Sequence, residues 1–162
     1  MNQYLQETAM LDFSNPNIQK LIEIKHWKEQ NEFDCLKAIY NFVRDDIAFG
    51  YNTDDGISAS KVLKDGYGQC NTKGTLFMAL LRACEIPCRV HGFTIDKQLQ
   101  KGVMSEFVYK MHRRIYFTVG LKCILKISGM NLKPLYWIKS IYQNCKNNLQ
   151  TAPVFSAVMV LR

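Results

Sequence analysis

The sequence predicts one α+β domain, and three observations carry that expectation. Several segments before residue 85 repeat apolar residues at helical spacing, each with a recognisable start or stop. The stretch Cys88 to Ile95 alternates as a strand does. The 162 residues, 48% apolar and 22% charged, make one unit able to bury its own core without disulfides or metals. That composition excludes disordered, collagen-like and coiled-coil classes. No run of 18 apolar residues predicts a membrane-spanning helix. The start MNQYLQETAM has no basic region followed by an apolar one, so no signal peptide is read. A cytoplasmic location follows as an expectation, with all six cysteines as free thiols.

Ser14-Asn15-Pro16 is a helix start, and Ile18, Leu21, Ile22 and Trp27 extend the helix to about Glu29. His26 lies in this helix and is expected to face solvent. A second helix fits Glu32 to Asp46, with Phe33, Leu36, Ile39, Tyr40 and Val43 on one face. YNTDDG is a turn, and Ser58 caps a short helix stopped by Gly66. From Asn71 to Cys84, Leu76, Phe77, Ala79, Leu80, Leu81 and Ala83 form a broad stripe, which predicts the central helix. Residues 96–110 read as a loop or short helix. From Arg114 the chain is β-branched and aromatic without clean alternation, and partial strands are expected there.

The net charge of +7 divides unevenly. Residues 1–111 hold 13 Lys+Arg and 14 Asp+Glu; residues 112–162 hold 8 Lys+Arg and no carboxylate side chain. At the acid density of the first part, the chance of a tail with none is about one in a thousand.

Cys70 stands at the expected N-terminus of the central helix, where unpaired N–H groups and the helix dipole favour a thiolate and an oxyanion. Gly66 and Gly68 let the backbone come close to a substrate. These are the requirements of a nucleophilic cysteine. A small buried residue at a helix start is the plain alternative. Tyr67, Gly68 and Gln69 precede Cys70 as candidates for the oxyanion and substrate groove, with Tyr51 a further aromatic.

The string SASKVLKDGYGQCNTKGTLFMALLRACEIPCRVHGF resembles the core motif of the transglutaminase-like superfamily. Gly66, Gly68, Cys70, Leu76, Leu80, Ala83, Ile86, Pro87, Arg89 and Gly92 fit, and Glu85 replaces the usual glycine. The resemblance covers residues 57–95. It implies a papain-like core with N-terminal helices, a central Cys-bearing helix and an antiparallel sheet. It further implies a Cys-His-Asp/Glu triad and thiol-mediated acyl transfer or hydrolysis on protein or peptide amides. No cofactor or metal is implied.

The family next has a histidine in a pattern like His-x-Trp-Val-Glu-Val-Tyr, with an acid about fifteen residues later. This chain has neither. Its histidines are His26, His91 and His112. His91 sits one strand too early and is a substitute-base candidate; a structural or surface role is its plain reading. His112 lies in a basic loop. The pattern exists in another reading frame. Taking the last base of each codon with the first two of the next, the junctions from Met111 permit A-P-K-N-I-F-H-S-W-V-E-V-Y-F-K-D-K-W-Y-E-F-E. Met130-Asn131 must then encode Glu, and Trp137-Ile138 must encode Asp. Residues 1–111 are therefore read as the N-terminal part of a transglutaminase-like domain, and 112–162 as its out-of-frame tail. The antiparallel sheet is expected to be incomplete, and the chain catalytically incomplete.

A competing reading makes 112–162 a basic, non-enzymatic binding module, with Tyr116, Phe117, Tyr136, Trp137 and Tyr142 between its cations. No phosphate loop or nucleic-acid motif supports it. Cys84 and Cys88 lack partners for a zinc site, and Asp54-Asp55-Gly56 lacks the further ligands of a calcium site.

Overall fold

In the computed structural model, which describes residues 3–96, 110, 115–127 and 130–137, helix α1 spans Pro16–Ile24 and the Asn15 side chain accepts the Asn17 N–H at 3.0 Å. The helix stops short of Glu29 because His26 turns left-handed, with φ 52°. A 3-10 turn, Trp27–Glu29, follows. It buries Trp27 edge-on against Phe42, ring centroids 5.5 Å apart, and that burial offsets the strained residue. His26 is exposed, its Nδ1 2.8 Å from Glu29 Oε1.

Helix α2 spans Glu32–Asp45. Asn31 caps it by accepting the Asp34 N–H at 3.0 Å, and acidic Glu32 and Asp34 lie in the first turn, where the dipole favours them. Its buried face is Cys35, Leu36, Ile39, Tyr40 and Val43. Phe33, expected on that face, is exposed. Cys35 and Leu36 each begin an i, i+4 row, so the stripe is centred one position later than the apolar pattern suggested.

A two-residue strand β1, Ala48–Phe49, pairs in parallel with β2, Tyr67–Gly68. Helix α3, Ala59–Asp65, connects them. Asp12 fixes its start, accepting from the Ser60 N–H at 3.0 Å and from the Ser60 hydroxyl. Gly66 ends it with φ 71°, a conformation that costs glycine little.

Helix α4, Cys70–Ala83, begins at Cys70 itself, one residue earlier than expected. Leu76, Phe77, Ala79, Leu80, Leu81 and Ala83 are all buried, as the sequence predicts for a central helix. It closes in a Schellman motif: the Ile86 N–H donates to the Leu81 carbonyl at 2.9 Å and the Glu85 N–H to the Arg82 carbonyl at 3.0 Å. The motif puts Glu85 at φ 60°. A glycine there would avoid a strain of roughly 1–2 kcal/mol, which explains why the family motif has one.

Strands β3 (Cys88–Asp96), β4 (Ile115–Ile127) and β5 (Met130–Trp137) form an antiparallel sheet in that order. Cys88 pairs with Cys123, His91 with Gly120, and Leu121 with Trp137. The segment without clean alternation thus supplies two strands. On β4, Leu121 and Cys123 point into the core two residues apart, as strand geometry requires. Residues 97–109, 111–114 and 138–162, which include His112 and most of the basic tail, lie outside the described residues.

Among the described residues, the buried polar side chains are Thr72 and Lys73, both on α4. The Lys73 ammonium donates to the Ile47 carbonyl at 2.6 Å, just before β1, and to the Arg44 carbonyl at 3.3 Å, in the last turn of α2. Its neighbour Gly74 has open space where a Cβ would stand.

These adjacent positions should respond oppositely to substitution. Lys73→Met leaves two buried carbonyls without their donor and should lower unfolding stability by about 1–3 kcal/mol. Gly74→Ala should raise it by about 0.5–1 kcal/mol through the entropy of the unfolded chain. Denaturant midpoints at constant slope measure both; unchanged midpoints would refute this account of α4.

Candidate active site

Cys70 is the first residue of α4 and is half-buried. The first N–H of the helix to be satisfied internally is that of Lys73, by the Gln69 carbonyl at 2.8 Å. The Thr72 amide ahead of it is capped by the Gln69 side chain, and Cys70 lies in the first turn, where the positive end of the helix dipole favours a thiolate or an oxyanion. The Cys70 thiol lies 3.6 Å from Asn71 Oδ1.

Two loops converge on this helix end. Gly50 N–H donates to the Gly68 carbonyl at 3.2 Å, continuing the β1–β2 pairing. Thr72 Oγ1 accepts the Gln69 N–H at 3.0 Å and donates to Asn52 Oδ1 at 2.6 Å. Asn52 Nδ2 lies 3.5 Å from the Tyr67 carbonyl. Residues 50–52 are thereby fastened along the segment that leads into Cys70.

Asp55 completes the arrangement. One carboxylate oxygen accepts from the Gln69 side-chain amide, the other from Asn71 Nδ2 at 3.2 Å. The sequence placed Gln69 in the groove as an oxyanion or substrate contact; here its amide is engaged by Asp55. Asp55, Asn52, Asn71 and Thr72 were not legible as site residues. The one available signal was the doubled aspartate before Gly56. A turn needs one carboxylate, and Asp54 provides it by accepting the Gly56 N–H at 2.8 Å. The second is left for another purpose.

Gly68 is glycine because of its surroundings. A Cβ there would lie 2.7 Å from Thr72 Oγ1, 3.1 Å from Lys73 Cγ and 3.2 Å from Val62 Cγ1. Tyr67 is partly exposed and Tyr51 strongly so. His91 takes its place on β3 opposite Gly120, and His112 is outside the described residues.

Of the other described thiols, Cys35, Cys88 and Cys123 are buried. Burial pushes Cys88 up to about 11 and raises Cys123 as well. Cys35 and Cys84 share a hydrogen bond that lowers the first and raises the second. Cys35 is only 3% exposed, so its lowered value does not make it accessible. No three His, Cys, Asp or Glu side chains converge as metal ligands among the described residues. No helix among them is long and apolar enough to cross a membrane.

A family model described as the transglutaminase-like superfamily matches residues 22–119. Among solved structures, the chain is similar to one titled a "putative cysteine protease" from Cytophaga hutchinsonii, at 16% identity and a TM-score of 0.60. That match covers 90% of this chain and 43% of the other, so this chain spans less than half of that protein's length. At such identity the likeness is one of fold, and it supports a papain-like core. No curated protein matches the chain.

The crowding around Gly68 sets a test. Gly68→Ala should cost about 1–3 kcal/mol, because Thr72 is held by two hydrogen bonds and Val62 by the core, so neither yields easily. Thermal unfolding measures the loss, and a wild-type midpoint would overturn this description of the segment before Cys70.

Proposed function

The chain belongs to the transglutaminase-like superfamily, and we propose that Cys70 Sγ is its reacting atom, in a domain of the thiol acyltransferase or amide hydrolase type. The observation that carries this reading is the position of Cys70 at the first residue of the central helix, two residues after Gly68 and within the family match. In such chemistry the sulfur attacks an amide carbonyl, and first-turn N–H groups stabilise the oxyanion. The amine leaves with a proton, and water or a second amine resolves the thioester. The substrate class is a protein or peptide amide, and the location is the cytoplasm.

Such a reaction needs a base within hydrogen-bond reach of the sulfur, oriented by an acid. His26 does not serve, because it is exposed at the end of α1 and faces Glu29. His91 is the substitute candidate, on the strand before the one on which the family's histidine is expected. We read residues from about Met111 onward as out of frame. The family match ends at residue 119, a few residues into the carboxylate-free tail. The chain as translated is then a nucleophile-bearing half-site that reacts with electrophiles but does not turn over amides.

Two measurements test this. Iodoacetamide should alkylate Cys70 in the folded chain ahead of Cys88 and Cys123, with peptide mapping to assign each product, while release of amine from casein or glutamine peptides stays at background. Catalysed turnover that is lost in Cys70→Ser would show that the chain is complete after all. The gene's DNA across codons 105–165 decides the tail: stop codons in the second frame before the His-x-Trp string would remove the frameshift.

A further inference from the structure

Beside Cys70 the chain exposes aromatic rings that its core does not use. Tyr51 is 80% exposed, Tyr67 40% and Phe49 38%. Phe49 and Tyr51 meet edge to face, with centroids 5.5 Å apart. The Tyr67 ring lies against Gly50, where a Cβ would come within 2.8 Å of Tyr67 Cδ2. Gly50 therefore makes the room in which this ring rests. The other exposed large apolar residues among the described ones, Met10, Ile24, Phe33 and Val90, are spread over other elements. Among the described residues, β1, β2 and the loop after β1 gather three, and their strands pair directly with one another.

The β1 loop beside this shelf carries one sign of charge. From Ile47 to Ser60 the chain has no Lys or Arg, and its two carboxylates are Asp54 and Asp55, both exposed. Asp55 is tied to Gln69 and Asn71, on either side of Cys70, so its charge lies next to the reacting residue. Contiguous exposed aromatics mark a binding surface, and a carboxylate rim complements a cation.

We propose that the Phe49–Tyr51–Tyr67 shelf and the Asp54–Asp55 rim select the peptide that reacts at Cys70: one with a basic residue at the electrophilic carbon and an aromatic or large apolar residue next to it. This rests on the reading of Cys70 as the nucleophile and adds the substrate class. The aromatic side chain of the peptide lies on the shelf, and its lysine or arginine faces Asp54 and Asp55. An acidic residue in that place meets two like charges and is rejected.

The test uses the full chain and four reagents: the N-acetyl chloromethyl ketones of Phe-Lys, Phe-Glu and Gly-Lys, and iodoacetamide as the reference without side chains. In each ketone, Cys70 Sγ forms a bond to the methylene carbon, chloride leaves, and the thiol proton goes to the buffer. Intact mass and peptide mapping give the rate at Cys70. Relative to iodoacetamide in the same preparation, Phe-Lys should react about fivefold faster than Phe-Glu and about tenfold faster than Gly-Lys. Tyr51→Ala should erase most of the Phe-over-Gly preference. Asp54→Asn, whose Oδ1 can still accept the Gly56 N–H, should reduce the Lys-over-Glu preference and leave the aromatic one. Equal rates for the three ketones, with iodoacetamide still labelling Cys70, would overturn the shelf and leave the nucleophile reading standing. No labelling at Cys70 by any of the four would overturn both.

Discussion

The Lys73 ammonium sits 1% exposed at the C-terminal end of α2, where the Ile47 and Arg44 carbonyls accept its protons. A charge taken out of water is tolerated only where other groups replace its hydration, and the negative end of a helix is one such place. The consequence is geometric. Lys73 belongs to α4, while its acceptors lie in the last turn of α2 and just before β1. One side chain thereby ties the Cys-bearing helix to the neighbouring helix and to the strand that leads into the aromatic loop. The Arg44 side chain, bonded to Asp45, holds that carboxylate below its ordinary range, and the Lys73 charge adds to the effect. The end of α2 is thus a small electrostatic knot around one lysine.

The site follows from this anchoring. With α4 fixed, Thr72 and Asn71 in its first turn present a hydroxyl and an amide to the loop beside them. The loop answers with Asn52 and Asp55. Gly68 allows the contact because any side chain there would strike Thr72, Lys73 or Val62. The sulfur of Cys70 is therefore placed by three separate segments: α4 itself, the β1 loop and the β2 strand. Its neighbours are held by hydrogen bonds that do not involve the thiol.

Much of this was readable from the residues in order. Helix starts at Asn15, Asn31 and Ser58 use capping side chains, and caps are local. The stripe from Leu76 to Ala83 marked the central helix because burial on one helix imposes its own spacing. The misreadings were of another kind. The early end of α1 depends on His26 adopting a left-handed turn so that Trp27 can meet Phe42 on the next helix. Phe33 went to the surface and Cys35 to the interior because the partner face, not the propensity of the helix, set the angle of burial. The strands after Arg114 gave no alternation to read, and among the described side chains of β4 the period shows in Leu121 and Cys123, the pair that meets the core.

The sequence alone determined the family, the four helices and the strand that follows them, the helix that bears Cys70, and the uneven charge that divides the chain near residue 111. Each of these is a property of neighbours along the chain: caps, periods, motif spacing and composition. The tertiary structure decided what surrounds the cysteine. It brought Asp55 to Gln69 and Asn71 across 14 and 16 residues, Asn52 to Thr72 across 20, and Lys73 to Ile47 across 26. No local rule encodes such partners, because a polar side chain can be satisfied by any acceptor or donor the packing delivers. Packing, through the anchored α4, is what delivered these.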